Sequence, residues 1–513
     1  MERGYDVHKT LSPYLRPGLS SILVLVSCMV GSATGAEDPK VTAGISVSGT
    51  ATDNVNFAPP GHEEADFYFT ITPRLGIQHE APRFKFNASF APSIVLYASN
   101  ASNDQLYSNL SAIANLEAIS NFFYIDASAN TSQTFLSPFA PQPANIGTTT
   151  SNRVTTATFT VSPYIKGVTD SGISYSLRNT DTWTDTSSSA ANNVYFLGWT
   201  GHADQARGLY SWGVDYEYQN TSYQDQNPLT TELARLRLGY QVDPELGLQL
   251  RFGYQTNNYF VAQPDNYIYG LGFNWTPSPR AQVAGYWEQQ YFGGSYSLTA
   301  SYRRRMTAFT LTASRLASTY PQLLFTLPPG NTAALLNAAL TARFPDPAER
   351  QAAVNQFMQQ TGLPPTLTAP YGYYTNTVAL VQQSTASIAF LGTHNSVILS
   401  AFYVDSQNIV QPGVSLSTPL VNNSDFTSWG PSASYLHDLS PKSKLILTAT
   451  WTETKSNVQP FIETTSAYVR LSVTTQLGAK TYGSVGVWRN RFASSTATTA
   501  VQDAVFATLD HAF

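Results

Sequence analysis

The chain has 513 residues, of which 42% are hydrophobic and only 12% charged, about half the charged share of an ordinary soluble domain. Lys and Arg number 28 against 33 Asp and Glu, a formal net charge of −5, which excludes the concentrated basic surface that a nucleic-acid binder uses to neutralise phosphates. Thirty prolines argue against an all-helical chain, and the single cysteine, Cys28, excludes an internal disulfide framework and any paired-cysteine metal site.

The first element is a targeting segment. Arg3, Lys9 and Arg16 precede an apolar core from Leu19 to Val30 and then the small-residue run Gly31 to Ala36, the order of a secretory signal peptide. The expected processed segment is 1–36, cleaved after Ala36. In an alternative reading Leu25-Val26-Ser27-Cys28 is a lipoprotein processing box with Cys28 as the lipidated first residue. The apolar run is well short of the roughly 20 residues that span hydrocarbon as a helix.

Beyond residue 36 the pattern has period two. Phe67, Phe69 and Ile71 alternate with polar neighbours, as do Leu246, Leu248, Leu250, Phe252 and Tyr254, and then Tyr267, Tyr269, Leu271, Phe273 and Trp275. Each copy has the length of a tilted membrane-spanning strand, about nine to eleven residues. The intervening face is small or hydroxylated, as in Ser295, Ser297, Thr299 and Ser301, instead of the Lys and Glu that line the wet side of a soluble sheet. Backbone polar groups cannot stay unpaired in lipid, so such strands must close into a barrel.

Segmentation at turns predicts strands near 41–50, 66–78, 84–97, 105–118, 121–131, 153–165, 171–180, 192–202, 207–220, 231–242 and 246–256. They continue near 266–277, 280–290, 293–304, 306–318, 374–388, 390–402, 426–437, 443–455, 461–474, 480–490 and 500–513. The expectation is an all-β, large antiparallel transmembrane β-barrel of about 22 strands, any even count from about 16 to 24 fitting the rule for single-chain outer-membrane barrels. Short turns at 243–245, 277–279 and 440–442 then mark the periplasmic side. The long loops 132–152, 181–191, 257–265 and 403–425 mark the outside.

One stretch, about 319–373, departs from this pattern. It contains Leu335 to Leu340 and a run from Pro347 to Gln360 with helical spacing, in which Asp346 is the expected N-cap and Gly362 the stop. A helical or long-loop insert follows, placed by sequence equally well outside the barrel, in its lumen or on the periplasmic rim. The last strand alternates Val505, Ala507 and Leu509 and ends on Phe513, a terminal aromatic of the kind read by the outer-membrane assembly machinery. His511 stands where an apolar residue is expected.

The block Gly272-Phe273-Asn274-Trp275-Thr276-Pro277-Ser278-Pro279-Arg280, then Tyr291 to Tyr296, then Tyr302-Arg303-Arg304-Arg305, with Thr52 to Phe57 near the start, resembles the PEP-CTERM/exosortase system-associated outer-membrane barrels of exopolysaccharide-producing Gram-negative bacteria. Trp275, Pro277, Ser278, Pro279 and Arg280 carry the most specific part. The resemblance implies an outer-membrane barrel serving exopolysaccharide export or surface assembly, with a polysaccharide and periplasmic or inner-membrane export components as partners. It implies no catalytic residues.

With apolar sets facing lipid, parity sends Asp215, Glu217, Arg235, Arg237, Gln249, Arg251, Glu288 and Arg303 to the lumen, where opposed charges on neighbouring strands would create a transverse field for polar or anionic solutes. Tyr254, Trp275, Trp287, Tyr302 and Arg304 are the expected interfacial girdle, Arg304 because successive arginines alternate faces and it must snorkel. A closed, structural or adhesive lumen is the main alternative. A membrane hydrolase is a third reading, resting on His394 and Ser396 without an assigned acid. His62, Glu63, Glu64 and Asp66 match neither a zinc nor a calcium spacing, so neither metal nor cofactor is expected.

Overall fold

The computed structural model describes residues 38–513 apart from 189–190, 192, 225, 261–263, 326–331, 342–349, 351–353, 355–357, 359–372, 410–424 and 459–460. The 1–36 segment with Cys28, the Asp346 cap and Gly362 lie outside the described residues. Alternating sequence becomes one antiparallel sheet of 24 hydrogen-bonded strands. The first seven are β1 (Lys40–Thr52), β2 (Asp66–Ala81), β3 (Phe84–Phe90), β4 (Ser93–Tyr97), β5 (Gln105–Tyr107), β6 (Leu110–Ile119) and β7 (Phe123–Phe135). There follow β8 (Arg153–Val168), β9 (Ser174–Thr186), β10 (Val194–Arg207), β11 (Tyr210–Tyr223), β12 (Leu229–Gln241), β13 (Leu246–Asn257), β14 (Asp265–Ser278), β15 (Ala281–Gln290), β16 (Gly293–Arg304) and β17 (Thr307–Ser318). After the insert come β18 (Ala379–Leu391), β19 (Asn395–Asn408), β20 (Phe426–Ser440), β21 (Ser443–Ser456), β22 (Glu463–Gly478), β23 (Thr481–Ser494) and β24 (Ala497–Ala512).

Two spans are interrupted. Pro92 has no amide for the ladder and parts β3 from β4, both of which pair with β2; β5 and β6 are the halves of the next span. Twenty-four strands less these two breaks leave 22 spans. β1 pairs with β2 on one side and with β24 on the other, Gly44 opposite Ala512 through Thr52 opposite Ala504. The sheet is therefore a closed barrel with no free edge.

The apolar faces point outward. Leu248, Leu250, Phe252 and Tyr254 are exposed while Gln255 and Arg251 between and beyond them are buried. Phe273 and Trp275 retain 37% and 45% of their accessible surface, which a sandwich core would have removed. The start of β1, the end of β24 and the two-residue turns 208–209, 279–280, 305–306, 441–442 and 479–480 share one end of the barrel, the periplasmic end by the inequality of barrel turns. The connections β7–β8, β17–β18 and β19–β20 leave from the opposite end.

The observed strands outrun several predicted ends, 192–202 becoming Val194–Arg207 and 480–490 becoming Thr481–Ser494. Alternation of apolar residues stops where the strand leaves lipid, but the hydrogen-bonded ladder continues. The motif turn is also displaced. Pro277 and Ser278 finish β14 across an irregularity between Trp275 and Ser278, and the reversal is made by Pro279 and Arg280, so the turn expected at 277–279 lies later. The strand expected at 374–388 starts at Ala379, because Tyr373 to Val378 are buried in the barrel mouth.

Candidate lumen site and constriction

The insert leaves the outer end of β17 and returns at the outer end of β18, yet three of its described apolar residues reach the far end of the barrel. It begins with α1 (Tyr320–Phe325), followed by α2 (Thr332–Leu340), and helical backbone recurs at Arg350, Val354 and Met358. Leu335, Leu336 and Val354 are buried against Ala308, Ala389, Leu391, Ile398, Leu436 and Ile446, which stand at the periplasmic ends of β17–β21. The described part of the insert that carries Leu335, Leu336 and Val354 therefore packs on the inner face of the wall.

α1 crosses the mouth. Tyr320 is buried with its hydroxyl 3.5 Å from that of Thr156 on β8, and its amide donates to the Tyr223 hydroxyl on β11 at 3.3 Å. Gln322 donates to Gln219 at 2.7 Å.

A second segment also folds inward. The Arg153 guanidinium donates to four carbonyls of the preceding loop, those of Pro143, Asn145, Ile146 and Thr148, at 2.8–3.0 Å. This grip curls 136–152 over the lumen towards the barrel seam. There Thr148 donates to Gln502 of β24 at 3.0 Å and Tyr97 donates to the Gly147 carbonyl at 2.8 Å. Gly147 is obligatory, because a Cβ there would lie 2.1 Å from the Tyr68 ring. The two inward segments meet where the Tyr373 hydroxyl donates to Gln142 at 3.2 Å. Burial pushes that phenol up to about 12, so it stays a neutral donor at any physiological pH.

On the wall itself seven of the eight lumen candidates share one patch of β11–β15, on the face opposite the exposed apolar rows. Arg237 grips Asp215 through Nε and Nη2 at 2.7 and 2.9 Å. His202, across the β10–β11 hairpin, lies 2.7 Å from Asp215 through Nδ1 and 2.6 Å from Asp204 through Nε2. Glu288 is fully buried and receives Arg251 Nε at 2.6 Å, Arg235 Nη2 at 3.0 Å and Gln290 Nε2 at 3.1 Å. The Arg235 Nε is 2.7 Å from the same carboxylate but out of line for a further hydrogen bond. Arg251 also lies over the Tyr286 ring at 4.0 Å. Glu217 is half-buried in this patch and makes no ion pair within 4 Å among the described residues, and Gln249 is half-buried one row nearer the periplasm, beside Gly272.

Glycines make room for these heads. Register places Arg251, Gly270 and Glu288 in one row across β13, β14 and β15, and a Cβ on Gly270 would come within 2.9 Å of the Glu288 side chain and 2.1 Å of the Trp287 carbonyl. Gly213 likewise lies under the Arg237 guanidinium. Sequence reading missed His202 and Asp204, although the two-residue turn Gly208-Leu209 sets His202 opposite Asp215. It also missed the inward fold of 136–152, for which Arg153 beside a loop without an acid was the available signal.

The remaining candidates are scattered. Arg303 is exposed at the periplasmic turn, donating to the Pro279 carbonyl at 3.1 Å, and does not join the charged patch. Tyr254 contacts Tyr267 at the outer strand ends, Trp275 and Tyr302 stand exposed at periplasmic ends, and Arg304 is exposed beside them. Trp287 is exposed in register with Leu271, three residues short of its strand's end. Phe513 is exposed, its amide donating to the Ala43 carbonyl at 2.9 Å. His394 lies exposed in the periplasmic turn; Asn395 is engaged instead by His437, at 2.8 Å. Asp66 accepts the amides of Phe67 and Ser99, and no group of three metal-ligating side chains converges among the described residues.

No family model matches the chain and no curated relative matches it, so the family resemblance of the Trp275–Arg280 region has no such support. Among solved structures the chain is similar to the siderophore receptor PirA of Acinetobacter baumannii, at 10% identity over 92% of this chain and 80% of that one, TM-score 0.47. It is similar to the ferric citrate transporter FecA in its unliganded form, at 12% identity over 92% and 78%, TM-score 0.45. It is also similar to OccAB4 of A. baumannii, at 9% identity over 92% and 98%, TM-score 0.37. The described chain is an all-β, closed antiparallel barrel of 22 spans. Its outer face is a belt of exposed apolar side chains, the surface that a barrel presents to hydrocarbon.

Proposed function

We propose that the barrel is a gated conduit for a hydroxyl-rich polar chain, an exopolysaccharide in export or surface assembly, with the α1 and α2 helices between β17 and β18 as its internal gate. The observation that carries this reading is the uncharged lining of most of the wall. Hydroxyl pairs bridge neighbouring strands, Ser387 with Ser400 at 2.9 Å, Thr160 with Thr182 at 3.0 Å and Ser428 with Thr454 at 3.0 Å. Other inward polar atoms, on Thr184, Thr385, Ser432 and Gln255, are buried without a protein partner among the described residues. Once uncovered by opening of the gate, such a wall would exchange hydrogen bonds with a carbohydrate at little electrostatic cost, while the β11–β15 patch adds a fixed transverse field.

The gate is supported by the described parts of the insert: α1 lies at the mouth, and Leu335, Leu336 and Val354 pack at the periplasmic ends of β17–β21. A periplasmic or inner-membrane export component can reach it there. After export directed by the 1–36 segment and cleavage behind Ala36, the assembly machinery would read Phe513.

Planar-bilayer recording of the full barrel, and of a variant with 326–372 replaced by a short Gly-Ser linker, tests the reading. The variant should conduct at least fivefold more than the parent, and added dextran oligomers should interrupt its current. Deleting the gene should lower exported polymer. A linker variant that stays sealed would favour the closed structural lumen; an open one indifferent to dextran, with polymer export unchanged, would sink the saccharide reading.

A further inference from the structure

A separate region, on the lipid side of β12–β16, combines three features that the conduit does not use. The first is a concavity of about 980 Å³ whose apolar lining includes Leu248, Leu250, Leu271, Phe273, Trp275 and Leu298. Its floor is Gly285. Register sets that residue opposite Phe273 on one side and Leu298 on the other, and a Cβ there would lie 3.4 and 3.2 Å from them. A Cβ would also meet the Ser297 carbonyl at 2.8 Å, so only glycine keeps the floor of the concavity this low, a slot between its large neighbours.

The second feature is charge. Directly below the slot the periplasmic turns of β14–β15 and β16–β17 carry Arg280, Arg303, Arg304 and Arg305, all exposed. The Arg303 amide donates to the Arg280 carbonyl at 2.9 Å, which holds the two turns side by side. None of the four guanidinium groups makes an ion pair with a carboxylate within 4 Å among the described residues. On the adjoining turn Asp243 already accepts the amides of Glu245 and Leu246 at 2.8 Å. The third feature is parity: Leu298, Tyr302 and Arg304 alternate onto one face of β16, so a single strand carries wall, girdle and cation.

We propose that this region is a binding site for an anionic diacyl phospholipid of the periplasmic leaflet, its phosphate held by Arg280 and Arg304 and an acyl chain seated over Gly285. Guanidinium forks match phosphate oxygens bidentately, and clustered cations at a membrane boundary select anionic headgroups. A choline headgroup brings its own cation to the same place and gains less. Membrane continuity chooses the occupant, because the slot opens onto the lipid belt. The inference is independent of what the lumen carries.

Native mass spectrometry of the full refolded barrel, titrated with dioleoyl phosphatidylglycerol or dioleoyl phosphatidylcholine, tests it. Phosphatidylglycerol should be retained at least tenfold more than phosphatidylcholine. The R280Q/R304Q variant should lower that preference at least fivefold, and Leu298→Trp, which fills the slot, should lower retention of phosphatidylglycerol while heat-modifiable migration reports an intact barrel. R280K/R304K should keep the preference. Equal retention of both lipids by the parent, or a preference unchanged in R280Q/R304Q, would overturn the proposal. So would competition by glycerol 3-phosphate as strong as by the whole lipid with Leu298→Trp without effect, since the rim would then bind phosphate alone.

Discussion

The same sector of wall carries two groups of arginines under opposite rules. Inside, Arg235, Arg237 and Arg251 are matched by Asp215 and Glu288 at 2.6–3.0 Å, over glycines that leave space for their heads. At the periplasmic rim, Arg280, Arg303, Arg304 and Arg305 have no matching carboxylate, and the Arg303 guanidinium finds only the Pro279 carbonyl. A charge held out of bulk water must be balanced by the chain itself. A charge at the membrane boundary can be balanced from outside. The difference separates arginines that build the wall from arginines that meet something else.

The largest effect should come from the most deeply buried member. Glu288→Gln leaves two guanidiniums facing a neutral amide, and removing one partner of a buried pair costs about 3–5 kcal/mol. Urea unfolding of the refolded barrel followed by tryptophan fluorescence measures it. A loss under about 1 kcal/mol would mean that the interior charges are solvated like those of the rim, and the contrast would disappear.

The glycine trough gives the next largest. A Cβ on Gly270 meets backbone and the Glu288 side chain, so Gly270→Val should cost about 1–3 kcal/mol as overpacking. Gly201→Ala, whose Cβ would find only ordinary contacts at 3.6 and 3.7 Å, should stay within about 0.5 kcal/mol. Equal losses at the two sites in the same unfolding assay would mean that strand propensity, not room for the arginine heads, sets the cost.

Arg153 is a third case, a cation satisfied by carbonyls alone. Arg153→Gln cannot reach four acceptors, so 136–152 should loosen from the mouth and single-channel conductance should rise about twofold, with little change in strand content by circular dichroism. Unchanged conductance would show that the α1 crossing alone closes the mouth.

How much of this was legible follows from what a period can encode. Alternation marked the lipid face through Leu248, Leu250, Leu271 and Phe273, and with it the barrel, its span number and the inward parity of Asp215, Arg235, Arg237, Arg251 and Glu288. Parity says which face a side chain takes, not how far along the barrel it stands, and that is why Arg303 was grouped with the lumen patch but lies at the turn. The partners of Glu288 depend on Gly270 opening a path between strands, a fact of three-strand register. The route of the insert depends on Leu335 and Leu336 finding Ala308 and Ile398 across a cavity, and no local pattern carries that. His202 was recoverable, since a two-residue turn sets its pairing with Asp215.

The smallest expected stability effect belongs to the rim, and there smallness is the informative outcome. Arg304 is exposed and outside every ion pair in the described chain, so Arg304→Gln should shift unfolding in detergent by no more than about 0.5 kcal/mol. In vesicles rich in anionic phospholipid the parent should gain stability over its value in phosphatidylcholine vesicles, because a ligand that binds only the folded state stabilises it by mass action. Arg304→Gln should lose much of that gain. A variant equally affected in both vesicle types would place Arg304 with the arginines that hold the wall together, and the distinction between the two groups would reduce to depth alone.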